Sequence, residues 1–163
     1  MTSLQETIEY AKGEFLQAKE RLLAGLATTP DDRINWAPSP TARTPVQLVA
    51  HAAWAVRSIN ETLDGRTFQA PSVAEADRSF RDWEQQFTTR DEVLALLDQN
   101  GAAYLAWLDT LTPERLEASV EMPFNLGPAP LSLALTFVPA HTRYHVAQLD
   151  YLQTIYGDHD WHM

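Results

Sequence analysis

His141 and His145 stand four residues apart in the segment Pro139-Ala140-His141-Thr142-Arg143-Tyr144-His145-Val146-Ala147-Gln148. On a helix that spacing puts both imidazoles on one face, about 6 Å apart along the axis, and one metal ion can bridge them. Five histidines in the chain make such a pair a common coincidence, so the spacing alone decides little. The stripe on which the pair lies decides more. Val138, His141, His145, Leu149, Leu152 and Tyr156 recur every three or four residues, the pattern of a core-facing helix surface. Gln148 lies at the edge of that stripe, either as an ordinary edge-of-core amide or as a group orienting a water or the second nitrogen of a ligand. A buried polar group without a partner costs free energy. Two neighbouring buried imidazoles cannot both be charged cheaply, so they require a shared metal or separate acceptors.

A third imidazole, His51, sits in the apolar run Leu48-Val49-Ala50-His51-Ala52-Ala53-Trp54. Taken alone it reads as a core histidine bonded to a backbone carbonyl or a carboxylate. The chain has no cysteine, which excludes disulfides, thiolate metal sites and a thiol nucleophile of its own. A metal must then be held by histidine, carboxylate, amide or water, and any thiol must come from a small molecule.

The elements that position these residues read as four long helices. The first runs from about Ser3 to Leu26 with the stripe Leu4, Ile8, Ala11, Phe15, Ala18, Leu22 and Leu26. The second starts after Thr44-Pro45, an N-cap followed by a proline suited to the first helical position, and stops at Asp64-Gly65. Phe68 to Phe87 reads as a crossover carrying a short helix capped by Ser72. The third long helix opens on the capping box Thr89-Arg90-Asp91-Glu92 and ends at Leu111-Thr112-Pro113. Val120 to Pro130, with three prolines and a glycine, reads as an extended loop. Leu131 to Tyr156 is expected to form one last helix, kinked at Pro139. The pattern predicts an all-α fold, a four-helix bundle with a long crossover between the second and third long helices, in a single domain over residues 1–163.

Composition narrows the function. A formal net charge of −10 and scattered arginines argue against nucleic acid and against a membrane surface. No apolar run spans a bilayer and the N-terminus lacks a secretory signal, so the expected location is cytoplasmic. Trp36, Trp54, Trp83 and Trp107 read as core or interface residues. Asn60, Asn100 and Tyr104 read as occasional polar members of helix stripes that could also line a pocket. His159 and His162 belong to a loosely packed tail.

Three motifs together carry a resemblance. Trp36-Ala37-Pro38 precedes the second helix, Leu48-Val49-Ala50-His51 lies early within it, and His141-x-x-x-His145-x-x-Gln148 lies in the last. In this order and spacing the chain resembles the DinB-like (YfiT-like) superfamily of bacterial four-helix bundles over nearly its whole length. The resemblance implies a divalent metal held by His51, His141 and His145. It implies chemistry of one of two kinds on a small-molecule substrate: transfer of a low-molecular-weight thiol, ranked first, or hydrolysis. A non-catalytic metal- or small-molecule-binding bundle is the rival. A homodimer is expected on the same grounds. Three neutral imidazoles and water form an open coordination sphere that suits zinc or nickel first, and also iron, cobalt or manganese. Many relatives carry an acidic residue after the first histidine of the last helix; here it is Thr142, so no general base is expected at that position.

Overall fold

The computed structural model describes residues 3–68, 72–124 and 126–160. Three of the four long helices begin where a hydroxyl side chain accepts the first free amides. Ser3 caps α1 (Leu4–Thr28), with Glu6 returning the bond in a capping box. Thr44 and Gln47 do the same for α2 (Pro45–Leu63), as do Thr89 and Glu92 for α4 (Arg90–Leu108). Between them Ser72 caps α3 (Val73–Glu84). Gly65, at φ 102°, ends the α2 region in the left-handed conformation that glycine takes without strain.

Polar contacts between helices fix their directions. Asn100 Nδ2 donates to the Ala53 carbonyl at 2.8 Å and Trp107 Nε1 to Asp64 Oδ1 at 2.9 Å, so α2 and α4 run the same way. Lys19 pairs with Asp98 at 2.6 Å and Lys12 with Asp109 at 2.5 Å, which sets α1 antiparallel to α4. The last helix, α7 (Phe137–Ile155), runs parallel to α1, since Arg143 pairs with Glu14 at 2.7 Å and Gln153 Nε2 donates to the Gly25 carbonyl at 2.9 Å. α2 packs against both α4 and α7, and α1 against α7 and, less extensively, α4. Because α2 and α4 are parallel neighbours, the chain travels back along the bundle between Leu63 and Arg90, and α3 lies on that return. The α1–α7 contact is close at Gly25, where a Cβ would stand 3.0 Å from Leu149 Cδ2.

The buried stripes follow the sequence pattern closely: Ile8, Ala11, Phe15, Ala18, Leu22 and Leu26 on α1, and Val93, Leu97, Asn100, Tyr104 and Leu108 on α4. Two expectations are corrected. The stretch read as an extended loop holds a small antiparallel hairpin, β1 (Ser119–Met122) with β2 (Gly127–Pro130), after the one-turn helix α5 (Pro113–Glu117). Pro128 and Pro130 cannot donate to a ladder, so β2 pairs on one side only and looks like a loop in sequence. The last helix is two helices rather than one kinked one. α6 (Leu131–Ala134) stops at a turn through Leu135 and Thr136, and α7 restarts at Phe137. Pro139 then falls in the first turn of α7, where a missing N–H breaks no helical bond. No described helix is long and apolar enough to cross a membrane.

Candidate metal centre

His51 projects from α2, and His141 and His145 from α7, into the contact between those helices. Their ring centroids lie 5.4 Å (His51 to His141), 4.9 Å (His51 to His145) and 4.6 Å (His141 to His145) apart. One ring nitrogen from each lies within 4.8 Å of the other two, and this is the one such cluster of three potential metal ligands among the described residues. Nitrogens about 2.1 Å from a single ion in a tetrahedral arrangement stand about 3.4 Å apart. At the limit of the observed spread, 4.8 Å, ligation would therefore draw the ring nitrogens together by roughly 1.4 Å.

The outer nitrogens of two rings are tied down in a way that frees the inner ones. His51 Nδ1 faces Glu84 Oε1 at 2.6 Å. A carboxylate only accepts, so Nδ1 carries the proton and the Nε2 lone pair is left for a ligand. His145 Nδ1 faces Gln148 Oε1 at 2.8 Å, which assigns the same tautomer. His145 Nε2 is buried with no hydrogen-bond partner, and so is His141 Nδ1. Buried orphans of this kind are rare in folded proteins, and two of them in one three-imidazole cluster fit the donor set of a divalent cation.

Sequence reasoning missed Glu84. It is 1% exposed, and it accepts from Arg43 Nε at 2.6 Å through its second oxygen. Arg43 also reaches Asp77 at 3.2 Å, and Asp77 is held by Arg81 at 2.7 Å. This chain of charges fastens α3 to the segment before α2. Burial pushes the Glu84 carboxyl up, but the bonds from His51 and Arg43 outweigh it and hold the group below the usual glutamate range. A signal was available: Ala76, Phe80 and Glu84 recur every four residues, placing an acid on the apolar side of a polar helix. Gln148 is an exposed residue whose amide oxygen nonetheless reaches the ring of His145. Thr142 is buried and donates to the Val138 carbonyl at 2.9 Å, so its hydroxyl is committed within the helix.

Of the other residues singled out, Asn100 fastens α4 to α2, and the Tyr104 hydroxyl reaches the Leu135 carbonyl at 3.4 Å. His159 is exposed, and His162 lies outside the described residues. Trp54, read as a core or interface residue, is half-buried in a cavity wall. It stands with Phe80, ring centroids 4.2 Å apart, beside a cavity of about 300 Å³ that His51 and His141 close at one end.

Burial, with the neighbouring His51 and Arg43 charges adding to it, pushes His141 down to about 4. Burial, then the charges of His141 and His51, push His145 down to about 3. In the unfolded chain both titrate near about 6.5. Above that pH the two states bind equally few protons at these sites. As pH falls below it, the unfolded chain takes up protons that the folded one refuses, so folded stability is lost progressively toward pH 4. Metal-free protein is therefore expected to show a lower urea midpoint at pH 4.5 than at pH 7.5. The same comparison on a His141→Gln, His145→Gln double variant should show a clearly smaller drop; an equal drop would assign the acid sensitivity elsewhere.

Among solved structures, a protein described as a four-helix bundle aligns with TM-score 0.65 at 22% identity, covering 88% of this chain and 98% of its own. YfiT from Bacillus subtilis, described as a probable metal-dependent hydrolase with an unusual four-helix bundle topology, aligns with TM-score 0.65 at 20% identity, covering 96% and 91%. A DinB-like protein from Bacillus subtilis aligns with TM-score 0.64 at 14% identity, covering 93% and 94%. A comparison with curated proteins gives no match. The family model of the DinB superfamily matches residues 14–149, a span that holds His51, His141 and His145. The chain, with its bundle and its three convergent imidazoles, belongs to the DinB superfamily.

Proposed function

We propose that this protein is a metal-dependent enzyme in which His51, His141 and His145 hold one divalent cation and a small-molecule substrate occupies the adjoining cavity. The observation that carries the reading is the pair of buried, unpartnered nitrogens on His141 and His145 beside a His51 whose tautomer Glu84 fixes. A bound divalent ion supplies Lewis acidity there, lowering the pKa of a coordinated thiol or water and polarising a carbonyl. The residues supply the rest. Glu84 and Gln148 hold two rings in their metal-ready tautomers, and the walls of the cavity exclude water.

Transfer of a low-molecular-weight thiol to an electrophile leads. Among the described residues no carboxylate lines the cavity, and Thr142 offers no base. A nucleophile that loses its proton readily suits such a site better than one needing a general base. Hydrolysis is the second reading, favoured by the description of YfiT.

Protein purified without a histidine tag is expected to carry about one divalent ion per chain by elemental analysis, and added zinc or nickel should raise the melting temperature of metal-stripped protein. No stoichiometric metal and no thermal shift would overturn the metal reading. Metal-loaded protein should consume a test electrophile only when a thiol such as glutathione, bacillithiol or mycothiol is added. Cleavage of simple esters or amides without thiol would give hydrolysis the lead.

A further inference from the structure

The cavity beside the imidazoles has a chemistry of its own. Its volume is about 300 Å³, and His51 and His141 form one end while His145 stays behind them. Trp54 and Phe80 make one wall. Phe68 and Phe124, with ring centroids 5.3 Å apart, make the mouth. Phe124 belongs to the turn of the β1–β2 hairpin, so the hairpin supplies the outer edge. Among the described residues no Asp, Glu, Lys or Arg lines the cavity. Of its two hydroxyls, that of Thr62 already donates to the Ser58 carbonyl at 3.0 Å, which leaves the Ser58 hydroxyl as the freer of the two.

These walls discriminate. Away from the imidazole end, a carboxylate or phosphate placed among them would lose its water and gain no counter-charge. An aromatic ring would gain face and edge contacts from five aromatic side chains, Phe137 included. A cavity of about 150 Å³ accepts benzene, so one of about 300 Å³ has room for one or two rings with a reactive group at the imidazole end. On the far side of Trp54 and Phe68 the surface changes character, with Arg57, Arg66 and Glu61 lining a polar groove. Charged portions of a co-substrate would have to lie there, outside the apolar cavity.

We infer that the cavity binds an uncharged aromatic group of one or two rings, and that the substrate class of the proposed enzyme is neutral aryl-bearing electrophiles or acyl compounds directed at the His51–His141 end. The substrate part of this inference rests on the metal-enzyme reading; the binding part does not.

The test pairs naphthalene-2-carboxamide with 2-naphthoate, titrated by calorimetry into metal-stripped full-length protein at pH 7.5. The amide is expected to bind at least about tenfold more tightly, because the carboxylate is desolvated without a partner. Phe80→Ala should weaken the amide by about tenfold or more through lost ring contact. Phe124→Ala, at a residue 41% exposed and outside the packed core, should weaken it by a smaller factor. Equal or tighter binding of naphthoate, no binding of either compound, or amide affinity unchanged in both variants would each overturn the inference. His159→Ala, at an exposed residue away from the cavity, should leave amide binding within about twofold. Loss of metal binding alone would sink the proposed function while the apolar site stands, and loss of amide binding alone would do the reverse.

Discussion

Replacing His145 with alanine should lower divalent-metal affinity by at least about a hundredfold. Loss of a residue that merely orients a ligand costs about 10–100-fold, and loss of a ligand costs more. A hundredfold weaker site forfeits about 2.7 kcal/mol of metal-induced stabilisation at a fixed saturating concentration. The metal-free proteins should differ far less. His145 is 5% exposed with an orphaned Nε2, so its removal deletes an unmet polar group along with the packing it provides. The measurement is a melting series with and without zinc for wild type, His145→Ala and His159→Ala. The exposed His159 should behave as wild type. A His145→Ala protein that gains as much stability from zinc as wild type would remove His145 from the site.

The second large effect is expected at Glu84, which accepts from His51 and from Arg43 at 2.6 Å each. Glutamine at this position keeps the shape but offers one acceptor and one donor. Whichever way the amide turns, either His51 Nδ1 or Arg43 Nε then faces another donor. If Arg43 loses its partner, a mostly buried guanidinium keeps only the half-exposed Asp77. Breaking a buried ion pair costs about 3–5 kcal/mol, and the surviving Asp77 contact puts the expected loss near about 3 kcal/mol. If His51 loses its partner, its tautomer is no longer fixed and metal affinity falls by about 10–100-fold. Urea denaturation of the metal-free Glu84→Gln protein reads the first cost, and a zinc titration against a competing chelator reads the second. A variant with wild-type stability and wild-type affinity would show that Glu84 neither anchors α3 nor orients His51.

The bundle was legible because its signals are local. Thr44-Pro45 and Thr89 to Glu92 mark helix starts by chemistry that works within one turn, and the apolar stripes repeat at helical spacing. His141 and His145 were legible for the same reason. His51 joined them only through resemblance, since nothing within α2 says which helix it faces. Glu84 lay further out of reach. Its partners are 33 and 41 residues away, and only the return of the chain between α2 and α4 brings them together. The hairpin escaped because its prolines suppress the strand pattern.

The parallel pairing of α1 with α7 joins the first and last long helices of the chain. During synthesis, α1, α2 and α4 emerge with their core faces uncovered, and the groove that α7 fills stays open until about residue 155 has left the ribosome. Contacts of such high sequence separation form late and slow the approach to the native state. His51 meets its two partner imidazoles only in that last docking step, so a nascent or truncated chain lacking α7 holds one of the three. An ion held by all three imidazoles would thereby be acquired only by chains that have finished folding, and would mark a completed bundle.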